Sequence, residues 1–238
     1  MELVTPEWVM LLLSAAAIAF GHTLLGPDHY LPFVAMARAR DWSLGKTLRV
    51  TLACGVGHLA GSVALGFLGV ALGLQLSSLT GFEGTRASLA AWLLIAFGLV
   101  YTAWGLRRAW RNRPHTHWHS HGGTTHQHEH RHHSTHAHLH ETPAGSLAPW
   151  LVFVIFVLGP CEPLIPLLMY PAARQDMQAV IAVTLVFGLV TVLTMLLAVA
   201  IAAAGLRAVR FGRLEPYGHA LAGAAILTCG LGIVLFGW

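Results

Sequence analysis

Charge is scarce in this chain: only 10% of its 238 residues are Asp, Glu, Lys or Arg, whereas 55% are hydrophobic. That balance excludes an ordinary soluble globule and requires a membrane protein. Cysteine is scarce as well. The three present, Cys54, Cys161 and Cys229, all fall in apolar segments, which argues against a disulfide-stapled fold. No hydrolase triad, phosphate loop or dinucleotide fingerprint occurs, so no enzyme is expected. A soluble basic domain is missing too, which removes nucleic acid as a partner despite the formal charge of +4. The N-terminus lacks a basic region before its apolar run, carrying Glu2 instead, so the first span does not read as a cleaved signal.

Six apolar runs are each long enough to cross a hydrocarbon core of about 30 Å. They cover roughly 8–37, 50–76, 87–106, 148–170, 178–204 and 217–237. The odd-numbered connections hold twelve basic residues, among them Arg38, Arg40, Lys46, Arg49, Arg107 and Arg207; the even ones hold Arg86 and Arg174. Such a bias places the odd loops in the cytoplasm and both termini outside it, as in a bacterial inner-membrane protein. The expected fold is an all-α membrane protein of six transmembrane helices in an inverted 3+3 repeat. Its halves are 1–106 and 148–238, joined by a hydrophilic cytoplasmic linker, 107–147. Ser43 is placed to cap the second span.

A Leu-Gly-Pro motif supports the repeat. Leu25-Gly26-Pro27-Asp28-His29 recurs 133 residues later as Leu158-Gly159-Pro160-Cys161-Glu162, and Leu31/Leu164 and Met36/Met169 match at the same offset. Proline removes a helix donor and clashes with the preceding turn, so helices broken at Gly26-Pro27 and Gly159-Pro160 are expected. Discontinuous helices in corresponding halves point to a transporter site.

Ionisable groups inside a bilayer are costly and mark functional interiors. The first half carries His22, Asp28, His29 and His58. Unwinding at Gly26-Pro27 would gather the first three around one cavity, and imidazole with carboxylate suits Ni²⁺, Co²⁺ or Zn²⁺. The plainer alternative is that they are hydrogen-bond partners in the bundle interior. His58, after Gly55 and Gly57, is equally a ligand or a satisfied interior histidine, and His219 lies near a membrane boundary as a structural group. In the second half, Cys161 and Glu162 stand as soft-ligand, proton or cation candidates, or as structural residues. A thiol relay needs two cysteines that can meet, and Cys161 aligns with Asp28 rather than with a second cysteine.

The linker holds twelve of the sixteen histidines: His115, His117, His119, His121, His126, His128, His130, His132, His133, His136, His138 and His140. Interchangeable imidazoles in a polar tract suit metal collection rather than catalysis, and nothing there builds a core, so disorder without metal is expected.

The array His22-Thr23-Leu24-Leu25-Gly26-Pro27-Asp28-His29, with Gly57-His58 and the histidine-rich loop, resembles the nickel/cobalt transporter (NicO) family and the hydrogenase- and urease-accessory nickel permeases. It is also similar to their cytochrome-biogenesis-type relatives, whose second-half motif Gly159-Pro160-Cys161-Glu162-Pro163 resembles. The resemblance implies transport of a divalent transition metal, nickel or cobalt, for export or delivery. The ion is then a substrate rather than a permanent cofactor, and the lipid bilayer and a metallochaperone or metalloenzyme accessory protein are the partners. Two alternatives stand beside it: a membrane thiol-redox or cofactor-assembly accessory protein, and an exporter of a small anion such as sulfite.

Overall fold

The computed structural model describes residues 6–73, 75–111, 115–121, 124–130, 144–159, 161, 163–209 and 212–237. Its membrane body is all-helical. Helix α1 (Pro6–Leu25) is followed by a 3-10 turn at Pro27–His29 and by short α2 (Leu31–Ala39); α3 (Leu44–Ala71) and α4 (Leu76–Arg111) complete the first half. The second half contains α5 (Ala144–Leu158), short α6 (Leu164–Ala173), α7 (Met177–Ala208), a 3-10 turn at Gly212–Tyr217 and α8 (Gly218–Phe236). Five helical segments are long and apolar enough to cross a membrane, and α6 is a shorter apolar helix. Between the halves, His115–His121 and Thr124–His130 pair as an antiparallel hairpin, β1 and β2. Backbone pairing there departs from the disorder expected of so polar a tract. The remaining linker histidines, His132, His133, His136, His138 and His140, lie outside the described residues, as do Pro160 and Glu162.

Helix boundaries differ from the hydropathy reading where capping outweighs composition. Helix α3 starts at Leu44 because the Ser43 Oγ accepts from the Lys46 N–H at 3.2 Å, as an N-cap should. It stops at Gly73, whose φ of +63° is left-handed backbone that suits glycine. Ser43→Ala is expected to cost about 1 kcal/mol of stability, read as a lowered melting temperature of the detergent-purified protein. Helix α4 extends well beyond the apolar run 87–106, so Arg86 sits inside a helix and not in a connecting loop.

The short helix α2 lies at the centre of the bundle. Phe33 and Val34 pack with Cys54, Val152, Phe156 and Met195, and on its other side Met36 and Ala37 pack with Leu94, Tyr101 and Ile226. A third cluster joins Ala15 and Ala19 of α1 to Leu164 and Leu168 of α6 and Phe187 of α7. Helices α4 and α8 approach at glycines: a Cβ on Gly98 would stand 2.5 Å from the Leu227 nitrogen, and one on Gly105 2.4 Å from that of Ala220. Small residues permit such close backbone contact where no water-driven force holds helices together.

Candidate functional site

The site forms where α1 ends. The Gly26 N–H still bonds to the His22 carbonyl at 3.0 Å, but Pro27 has no N–H to give, and the chain tightens into the 3-10 turn that carries Asp28 and His29. Gly26 is required there for space: a Cβ would lie 2.7 Å from the His29 Nδ1 and 2.9 Å from the Asp28 Oδ1. The turn swings the His29 ring against that of His22, edge to face with centroids 4.7 Å apart. From α3, His58 comes to 5.4 Å from His29 in the same edge-to-face manner. Phe156 of α5 closes the apolar side, its ring centroid 5.1 Å from His58.

Hydrogen bonds fix which nitrogen the His29 and His58 rings present. The His58 Nδ1 lies 3.1 Å from the Phe156 carbonyl oxygen, and the His29 Nδ1 lies 3.2 Å from the Gly26 carbonyl oxygen and 3.3 Å from Asp28 Oδ1. Carbonyl and carboxylate oxygens only accept, so both Nδ1 atoms carry a proton, and in the neutral rings both Nε2 atoms keep a lone pair. The Nε2 atoms of His22, His29 and His58 are all buried and have no hydrogen-bond partner among the described residues. One ligand nitrogen from each of the three rings lies within 4.8 Å of the other two. Metal–nitrogen bonds of roughly 2.0–2.1 Å put two tetrahedral nitrogen ligands about 3.3 Å apart, so small side-chain shifts would close the set on one ion. Asp28 stands behind His29 on the Nδ1 side, where an outer carboxylate orients a ligating imidazole.

His22, Asp28, His29 and His58 line one wall of a cavity of about 500 Å³. The opposite wall comes from α4 between Gly84 and Leu94 and from the C-terminal end of α8, Ile233 to Gly237. The antiparallel run of α4 and α8 sets this cavity toward the α3–α4 connection and away from the linker, which leaves the far end of α4.

Other expected site residues take different places. Cys161 is fully buried beside Ala15 and Leu164, and its N–H donates to the Ser62 Oγ at 3.0 Å. Gly159 touches the His58 ring, since a Cβ there would lie 3.3 Å from its Nδ1. All three cysteines are free and buried, with Cys54 in the Phe33–Met195 cluster and Cys161 in the Ala15–Phe187 cluster. Thr191, which matches His58 at the repeat offset, is fully buried and brings no imidazole. His219 is hydrogen-bonded at Nδ1 to the Tyr101 hydroxyl (2.9 Å) and sits edge-on to Trp104, at the other end of α4.

Two residues to which the sequence assigned no site role, Glu83 and Arg86, belong to this region. Glu83, 1% exposed, pairs with Arg86 at 2.5 Å, and the Arg86 Nη2 donates to the Val157 and Gly159 carbonyls at 3.3 and 3.4 Å. Their i, i+3 spacing ahead of an apolar run was the available signal. Arg86 was instead counted among loop charges.

Five membrane-length apolar helical segments define an integral membrane protein. Residues 9–234 match the family model of the cytochrome C biogenesis protein transmembrane region, and the chain belongs to that family. No curated protein and no solved structure matches it. The match corrects two expectations. The NicO assignment is overturned, although the cytochrome-biogenesis side of the same resemblance is where the chain falls. Nickel or cobalt transport falls with it, since the matching family covers both halves and points to cytochrome c biogenesis. The histidine array that suggested a permease is a local feature of α1 and α3, and imidazoles that bind an ion need not move it across a membrane.

Proposed function

We propose that this chain is a membrane accessory protein of cofactor assembly, within cytochrome c biogenesis, and that His22, His29 and His58 hold a transition-metal ion used in that work. The observation that carries the reading is the set of three buried Nε2 atoms without hydrogen-bond partners among the described residues, on rings from α1, the 3-10 turn and α3 that come together. A buried polar atom normally finds a partner, and three together are the exception that calls for one. Imidazole donors suit zinc, cobalt, nickel or copper, and a bound ion would supply a positive, ligand-accepting centre at the head of the cavity. Asp28 orients His29, and the Phe156 carbonyl orients His58. Phe33 and Phe156 exclude water from that side. The linker histidines, at the other end of α4, would gather ions from the opposite face.

A second reading, thiol exchange at Cys161, draws its support from the family. Its geometry is less complete, because Cys161 is buried and Cys54 packs in a separate cluster. An inverted 3+3 arrangement is part of the proposal. The order helix, junction, short helix and then two longer helices occurs twice, and in sequence the Gly26-Pro27 and Gly159-Pro160 motifs fall at the two junctions. The basic odd-numbered connections favour a cytoplasmic linker and termini on the other side.

The test is the covalent haem content of c-type cytochromes in cells that lack this chain and are then supplied with variants. His58→Ala is expected not to restore it, whereas Cys161→Ser restores it. The opposite pattern hands the function to the thiol. Haem content that does not depend on the chain at all would sink both readings.

A further inference from the structure

At the end of α5 and at the second junction, backbone groups of Phe156, Val157, Gly159 and Cys161 reach outside their own helix for partners. Side chains from the first half take them. His58 donates to the Phe156 carbonyl, Arg86 to the Val157 and Gly159 carbonyls, and Ser62 accepts from the Cys161 N–H. His58 and Ser62 stand one turn apart on α3, so one face of that helix grips the junction on both sides of Gly159. Arg86 reaches across from α4 through a gap left by Gly61, where a Cβ would lie 2.8 Å from its Nη2. A guanidinium at a helix C-terminus satisfies the last carbonyls and complements their partial negative charge. Among the described residues no side chain of the second half braces the first junction in this way; its Gly26 carbonyl is taken by its own His29.

We propose that Arg86, neutralised by Glu83, is a positioning residue that pins the second junction, thereby aiming His58 into the histidine cage and keeping Cys161 covered. The planar fork matters. One guanidinium serves Glu83 with one nitrogen and two carbonyls with the other, which a lysine ammonium cannot reproduce in the same geometry. Release of this brace frees the Phe156–Gly159 backbone, and with it both the carbonyl that orients His58 and the chain that leads directly into Cys161. The part concerning the cage rests on the proposed ion site; the part concerning Cys161 does not.

The experiment uses full-length protein in detergent, carrying Cys54→Ser and Cys229→Ser so that only Cys161 reports, with the twelve linker histidines replaced by serine. Alkylation of Cys161 by N-ethylmaleimide and binding of Co²⁺ are both measured. Arg86→Gln is expected to speed alkylation at least tenfold and to weaken Co²⁺ binding on the order of tenfold, the scale of lost outer-shell support. Arg86→Lys, which keeps the charge beside Glu83 and guards against a failure to fold, is expected to speed alkylation to a lesser degree. Unchanged alkylation in either folded variant overturns the proposal. If the parent binds no Co²⁺, the ion site fails, while the alkylation rates still decide whether Arg86 holds the junction.

Discussion

His58→Ala is expected to weaken Co²⁺ binding by at least about a hundredfold, since loss of outer-shell support alone costs 10–100-fold and this change removes a ligand. The measurement is a titration followed by the visible absorption of the ion, in protein whose linker histidines have been replaced by serine. Without that replacement, twelve further imidazoles would mask the site. Asp28→Asn should cost less than His58→Ala, because Asp28 meets the Nδ1 of His29 and leaves all three Nε2 atoms in place. Equal losses for the two would make Asp28 a direct ligand. Undiminished binding in His58→Ala would dissolve the cage altogether and return its rings to ordinary packing against Phe156.

The largest stability effect is expected away from the His22–His29–His58 cluster, at the α4–α8 crossing. Gly98→Ala and Gly105→Ala each place a methyl group within 2.5 Å of backbone nitrogen on α8. Backbone cannot rotate away as a side-chain tip can, so the helices must separate. Overpacking of this kind costs typically about 1–3 kcal/mol per site, and the pair together should lower the melting temperature sharply. Gly81→Ala is the control. Its Cβ meets nothing within 4 Å, and removing a mid-helix glycine should gain about 0.5–1 kcal/mol. A double variant that melts with the parent would mean that α4 and α8 do not pack as described.

Much of the candidate site could be read in the chain because its first part is local. His22, Asp28 and His29 are close in sequence, and the Gly26-Pro27 turn between them follows from proline's missing donor and glycine's missing side chain. The family was harder to read. Permease-like and biogenesis-like proteins share the layout of apolar runs, and the histidines drew the reading toward the former while Gly159-Pro160-Cys161 pointed to the latter. Glu83 and Arg86 escaped notice for a different reason. Hydropathy ends a span at the first charge, whereas a helix ends where its backbone does, and α4 continues past both residues because each charge is neutralised by the other.

Composition and pattern alone determined that the chain lives in a membrane and that Gly26 and Pro27 interrupt its first apolar run, because burial and backbone chemistry act residue by residue. Tertiary structure decided the rest. Only packing brings His58 from α3 to His29 and sets Arg86 against carbonyls more than seventy positions away. Those contacts depend on which helix faces cross, and the crossing is set by glycines whose partners no local pattern names.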